Sequence, residues 1–281
     1  MSLLNLTFIY RKEIDFMLIK ITDKCTMGCT HCLSDCTEKG EHMTFEMFKE
    51  AIAFNNSLPS HVISPLLISG GEPFEHPEIK KFIDYLIQVC NDGKDNLLPL
   101  LQLIDSPKVI ITTNGEWISK NPEYVRYIYN ATREIWFQVV IDDRYYPIHV
   151  NEESLKVHPN VKVCYGVQSI YPQGRAITNN LEYNRKSSSC FNVRALAKQI
   201  GRGPMTLDQI ITSIFLKGHL SCCPHIDING KIKVGESRLC PVCSDIHKST
   251  TEIVDDIIAF RCSQCDFINS KLPPEYRKFV E

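Results

Sequence analysis

Short apolar runs alternate with longer stretches of helical period along most of the chain. The runs Asp15–Ile21, Pro65–Ser69, Lys108–Thr112, Ile135–Ile141 and Val161–Val167 predict buried strands. Between them, Thr44 is placed to cap a helix carrying Phe45, Phe48, Ile52 and Leu58 on one side. His76-Pro77-Glu78 opens a second helix, with Pro77 in its first turn and Ile79, Phe82, Ile83, Leu86 and Cys90 at helical spacing. Asn121-Pro122 starts a third, with Tyr124, Val125, Ile128 and Tyr129. Residues 91–107 read as a long connection in which Leu97-Leu98-Pro99-Leu100-Leu101 suits a short extra helix. Strands recurring at roughly thirty-residue intervals between helices predict parallel βα units and an α/β fold.

The texture changes near Leu220. Cys222, Cys223, Cys240, Cys243, Cys262 and Cys265 crowd into the last quarter of the chain. Alternating apolar residues from Ile226 to Val234 flank Asn229-Gly230, a β-hairpin signal. Residues 251–260 predict a short helix before the last cysteine pair. The expected division is a main domain over 1–215 and a small cysteine-rich hairpin-and-helix extension over 216–281.

Charge alters this picture little. The 31 Lys and Arg nearly balance the 33 Asp and Glu, so a nucleic-acid backbone is not an expected partner. No apolar run approaches a membrane span, and Met1–Tyr10 lacks the order of a signal peptide, which predicts a cytoplasmic protein. The 13 cysteines matter more, because clustering into short-spaced groups favours metal over disulfides and implies a reducing compartment.

The first group, Cys25-Thr26-Met27-Gly28-Cys29-Thr30-His31-Cys32, follows the first apolar run and so sits on a loop leaving a strand. Three thiolates can hold three corners of a 4Fe–4S cube and leave the fourth iron open to a small ligand. A closed zinc site wants a fourth protein ligand, for which His31 and Cys36 are candidates. The spacing of three residues and then two resembles that of the radical S-adenosylmethionine (radical SAM) enzymes. Further matches follow in order: Gly70-Gly71-Glu72-Pro73 after the second strand, Thr112-Thr113-Asn114-Gly115 after the third, Asp142 after the fourth, and Gly174-Arg175-Ala176 after the fifth.

The resemblance implies a partial (β/α)6 TIM-like barrel, its sixth unit falling within 175–215, with the active site at the C-terminal ends of the strands. It also implies a cube on Cys25, Cys29 and Cys32, and SAM held by Gly70, Gly71, Glu72 and Pro73 at its amino group. His31 would lie near the adenine, and Thr112, Asn114 and Asp142 near the cofactor. Arg175 would pair with the SAM carboxylate. At Val140-Ile141-Asp142 the serine often found two residues before the aspartate is missing.

The last six cysteines resemble the SPASM/Twitch extension, which implies a second, auxiliary 4Fe–4S cluster drawing ligands from Cys222, Cys223, Cys240, Cys243, Cys262 and Cys265. A structural zinc ribbon on Cys240, Cys243, Cys262 and Cys265 fits the spacing as well. Cys222 or Cys223 would be placed as a catalytic hydrogen donor, while Cys36, Cys164 and Cys190 read as structural thiols.

The implied activity is reductive cleavage of SAM and hydrogen abstraction from a substrate, a ribosomally made peptide being the leading class. A flavodoxin- or ferredoxin-type protein would be the reductant. About two dozen residues precede Cys25, too few for a peptide-binding domain of their own, so a separate leader-binding protein is an expected partner. The alternatives are a small-molecule radical SAM oxidoreductase and, in a different class, a non-catalytic zinc-stabilised binding protein.

Overall fold

The computed structural model describes residues 18–57, 66–92, 107–166, 170, 174–182, 225–233 and 240–259. Its centre is one open, mixed sheet of eight strands in the order β5-β4-β3-β2-β1-β6-β7-β8. Strands β1 (Leu18–Thr22), β2 (Leu66–Gly70), β3 (Val109–Thr113), β4 (Ile135–Ile141) and β5 (Val161–Tyr165) run parallel, each paired with its neighbour in sequence. That is the order expected of successive βα units, because each crossover helix returns the chain to lay the next strand beside the last.

The helices are α1 (Phe45–Ser57), α2 (Ile79–Asn91), α3 (Glu116–Lys120), α4 (Pro122–Ala131), α5 (Glu152–Lys156), α6 (Arg175–Thr178) and α7 (Thr250–Ala259). Thr44 caps α1 as its sequence predicts, with Oγ1 accepting the Met47 N–H at 3.2 Å. The core lies between one sheet face and α1, α2 and α4. There Ile19, Ile21, Ile68, Ile111, Phe137 and Val139 meet Phe48, Phe82, Ile83, Val125 and Ile128. Phe48 stacks on Phe82 with ring centroids 4.4 Å apart. Each such buried side chain contributes about 1.5–3 kcal/mol. Cys90 is buried in this core.

Two boundaries differ from the sequence reading for local reasons. Residues 73–75 form a 3-10 turn before α2, and the His76 Nδ1 accepts the Glu78 N–H at 3.1 Å. That bonding keeps Pro77 outside the helix, which begins at Ile79. Strand β3 runs one residue further than expected because Thr113 is tied into the site described below.

Along β2, β3 and β4 one face is buried and the other carries side chains of intermediate exposure; the buried pattern gives out at the ends of β2 and β4, while β3 stays buried through Thr113. The hairpin of the cysteine-rich extension is present. Strand β6 (His225–Ile226) turns through Asp227–Gly230 into β7 (Lys231–Lys233). Strand β6 also pairs in parallel with β1, so the hairpin continues the main sheet. A further strand, β8 (Val242–Asp245), which the polar composition of that segment hides, pairs antiparallel with β7. The extra segment within 91–107 and the bulk of the sixth unit, as well as Leu58, lie outside the described residues. Among the described residues, no helix is long and apolar enough to cross a membrane.

Candidate active site

The cysteine loop leaves β1 and is fastened by its backbone to the ends of the neighbouring strands. The Gly71 N–H donates to the Thr22 carbonyl at 2.7 Å, and the Glu72 N–H to the Lys24 carbonyl at 2.8 Å. Glu75 Oε1 then accepts both the N–H and the hydroxyl of Thr26, at 2.8 and 2.7 Å. On the loop's far side the Thr30 N–H donates to the Tyr145 carbonyl, and the Arg175 N–H to the Cys32 carbonyl, each at 3.0 Å. The segment after β2 thus extends the β1–β2 pairing by three further attachments, and Cys25, Cys29 and Cys32 ride on a pinned loop.

Glycine is required here by backbone contact. A Cβ on Gly71 would stand 2.0 Å from the Lys24 carbonyl oxygen, and one on Gly70 2.2 Å from that of Thr22. Gly70 also has φ +143°. The room the two glycines leave is filled by the chain entering the cysteine loop.

Glu72 joins a third strand end. Its carboxylate accepts from the Thr113 hydroxyl (2.7 Å), the Phe74 N–H (3.1 Å) and the Asn114 N–H (2.7 Å). Burial pushes this carboxyl up to about 7, against the opposing pull of those three donors. Thr113, rather than Thr112, therefore meets Glu72, and Thr112 faces the opposite side of β3. Asn114 serves its own turn, with Oδ1 accepting the Glu116 N–H at 2.9 Å. Pro73 is buried in the 3-10 turn.

Asp142 is buried and held by Arg144 through Nε (2.9 Å) and Nη2 (2.6 Å). Its carbonyl accepts the N–H groups of Tyr145 and Tyr146. That turn sets both tyrosine rings against His31, at 5.1 and 5.4 Å between centroids. Burial lowers His31 to about 4, so its imidazole is neutral at neutral pH, and its Nδ1 is buried without a hydrogen-bond partner among the described residues. Burial first, then Cys29, Cys32, Asp142 and Cys25, push the Tyr146 phenol above its ordinary range.

Burial pushes the Cys25 thiol up to about 11, with Glu72 and Glu75 adding to the rise. It pushes Cys29 up to about 12, reinforced by Cys25 and Cys32. Cys32 is lowered by a hydrogen bond with Cys36 and by the neighbouring Arg175, while Cys36 is raised by the same bond. Metal binding here would therefore release protons. Three partly buried free thiols on one fixed loop suit the donor set of a 4Fe–4S cube, and the Arg175 guanidinium, whose buried Nη2 has no hydrogen-bond partner among the described residues, stands beside them as a positive charge. Among the described residues, no three His, Cys, Asp or Glu side chains converge on a single-ion site.

The site thus brings together His31, Gly70, Gly71, Glu72, Pro73, Asn114, Asp142 and Arg175 around the three cysteines. Sequence reasoning missed Glu75, Tyr145 and Tyr146. Their signal was position, just past the ends of β2 and β4.

Of the second cysteine group, Cys240 and Cys243 are described, whereas Cys222, Cys223, Cys262 and Cys265, like Cys190, lie outside the described residues. Cys240 is buried just before β8. Cys243, on β8, donates its thiol to the Ile232 carbonyl at 3.2 Å, and burial pushes it up to about 12.

No family model matches the chain. A GTP 3′,8-cyclase from Campylobacter fetus subsp. fetus (strain 82-40) is 20% identical over 118 residues, 42% of this chain. The match spans about one third of that relative, 32% of its length. Among solved structures, BtrN in complex with AdoMet and 2-DOIA is similar with a TM-score of 0.44 and 12% identity, over 96% of this chain and 87% of BtrN. Native anSMEcpe with bound AdoMet and Cp18Cys peptide gives 0.38 and 15%, over 93% and 85%. Streptococcus suis SuiB bound to precursor peptide SuiA gives 0.39 and 10%, over 92% and 70%.

Proposed function

We propose that the chain is a radical SAM enzyme that cleaves SAM at the mouth of the sheet and abstracts hydrogen from a peptide. The observation that carries this is the pinned loop, which presents Cys25, Cys29 and Cys32 where Gly71, Glu72, Tyr145 and Arg175 fix its backbone. The match to the GTP 3′,8-cyclase supports the same superfamily. A 4Fe–4S cube on the three thiolates would supply the electron that splits SAM to methionine and a 5′-deoxyadenosyl radical.

The chain's own residues bind, orient and exclude water. The neutral His31 ring, backed by Tyr145 and Tyr146, offers a stacking surface for an adenine. Arg175, beside Cys29 and Cys32, offers donors to a carboxylate. Glu72 ties the ends of β2 and β3 together, Asp142 shapes the turn that carries Tyr145 and Tyr146, and the Gly70-Gly71 segment carries the backbone on which the SAM amino group would rest.

An auxiliary cube in the extension belongs to the same proposal, with ligands from Cys222, Cys223, Cys240, Cys262 and Cys265. The bond from the Cys243 thiol to the Ile232 carbonyl supports leaving that residue out. The peptide as substrate class rests on the SPASM/Twitch resemblance, and with it a cytoplasmic setting, a leader-binding partner and a flavodoxin- or ferredoxin-type reductant.

Release of 5′-deoxyadenosine from SAM by anaerobically reconstituted, dithionite-reduced protein tests the reading. Its absence in the wild type would refute it.

A further inference from the structure

The three carboxylates around the cysteine loop differ in how their charge is met. Asp142 is paired with the Arg144 guanidinium through Nε and Nη2. Glu72 accepts three donors with both oxygens engaged, and burial brings it to about 7, so at neutral pH it carries only part of a charge. Glu75 has no such counterweight. Its Oε1 takes the N–H and the hydroxyl of Thr26, at 2.8 and 2.7 Å. Its Oε2 is buried without a hydrogen-bond partner among the described residues. Among those residues Glu75 forms no ion pair, the half-buried Lys24 included. His42, whose Nδ1 lies 2.8 Å from the Thr22 Oγ1, is held below its ordinary value by burial and by Lys24, so it brings little charge at neutral pH.

The charges about the loop are therefore lopsided. Arg175 acts on Cys29 and Cys32, whereas Glu75 acts on Cys25. Thr26 follows Cys25 directly, so its two bonds fix the carboxylate at one end of the ligand set. Pinning Thr26 needs one acceptor oxygen, which a carboxamide would supply as well. The second, buried and unpartnered oxygen is a cost that pinning leaves unexplained. Charges interact more strongly where water is excluded. The potential of an iron–sulfur cube depends on the net charge around it. Reduction adds one electron, and a fixed negative charge opposes that.

We propose that Glu75 is a positioning residue whose charge, held at Thr26, lowers the reduction potential of the cube on Cys25, Cys29 and Cys32 and makes it a stronger reductant toward SAM. This rests on the radical SAM reading and deepens it.

The test is an EPR-monitored redox titration of full-length, anaerobically reconstituted protein without SAM. The loop cube is the signal missing from a Cys25/Cys29/Cys32→Ala variant. Glu75→Gln keeps the acceptor and the shape and removes the charge. At the poise where the loop cube is half reduced in wild type, this variant should raise the ratio of reduced to oxidised cube at least threefold, or about 30 mV at about 59 mV per tenfold. Thr26→Val keeps the charge and removes the hydroxyl that partly offsets it, so it should lower the same ratio. A loosened loop would move both variants the same way, and opposite shifts separate charge from support.

An unchanged or lowered ratio in Glu75→Gln overturns the inference, as does a raised ratio in both variants. Where Glu75→Gln holds no cube, Thr26→Val decides: a lowered ratio supports the inference, and any other result overturns it. A wild type without a loop signal refutes the radical reading, and the inference falls with it. A loop signal that Glu75→Gln leaves in place refutes the inference alone.

Discussion

Cys29 and Cys243 both belong to short-spaced cysteine groups, yet their surroundings differ in kind. Cys29 sits on a loop whose backbone is bonded to neighbouring strand ends and to α6, while its thiol stays partly open. Cys243 lies within a strand, packs against the core and spends its thiol on the Ile232 carbonyl. In the first case the chain is arranged to present sulfur, and in the second sulfur helps to hold the chain. Spacing alone does not separate the two uses.

Substitution should expose the difference most plainly at the loop. Cys29→Ala should abolish 5′-deoxyadenosine release and leave the thermal unfolding midpoint of metal-free protein within a few degrees of wild type. Loss of folding on that change would mean that the loop is structural. Gly71→Ala should come next, because its new Cβ meets the Lys24 backbone and must displace the start of the loop. We expect a cost of about 3 kcal/mol by urea unfolding, with activity falling too.

Glu72→Gln should cost about 1–3 kcal/mol, since an NH2 then faces a donor in the buried bonds to Thr113, Phe74 and Asn114. Its pH dependence has a definite sign. The folded carboxyl is raised from 4.5 to about 7, so the native state holds that proton to higher pH than the unfolded chain. The stability this contributes is present below pH 4.5 and is lost as pH climbs through about 7. The advantage of wild type over Glu72→Gln should therefore shrink across that window, by at most about 3 kcal/mol. An advantage that grows with pH would show a carboxylate already ionised in the fold.

The smallest effect belongs to Cys243→Ser, which keeps a donor for Ile232. It should change stability by about 1 kcal/mol or less and leave the iron content unchanged. Loss of iron there would erase the contrast between the two cysteine groups.

The fold was legible where period and length agreed. Strand β4 matches its expected bounds, and β1, β2 and β3 overlap theirs, because apolar runs of that length between amphipathic helices have few other uses. Strand β8 was not legible, since Val-Cys-Ser-Asp carries no alternation and is a strand only through pairing with β7. The site was legible at its motif residues. Its supports were not, because Glu75, Tyr145 and Tyr146 act through contacts with residues far away in sequence. The close approach of Gly70 and Gly71 to the Thr22 and Lys24 backbone was not legible, because it depends on a contact across two strands.

The most direct measurement counts iron, sulfide and zinc per chain in anaerobically reconstituted wild type and in a Cys25/Cys29/Cys32→Ala variant. A cube on the loop contributes about four irons and as many sulfides, and the variant should lack that complement while keeping any metal in the extension. Equal iron in the two proteins, or zinc in place of iron on the loop, would contradict the account.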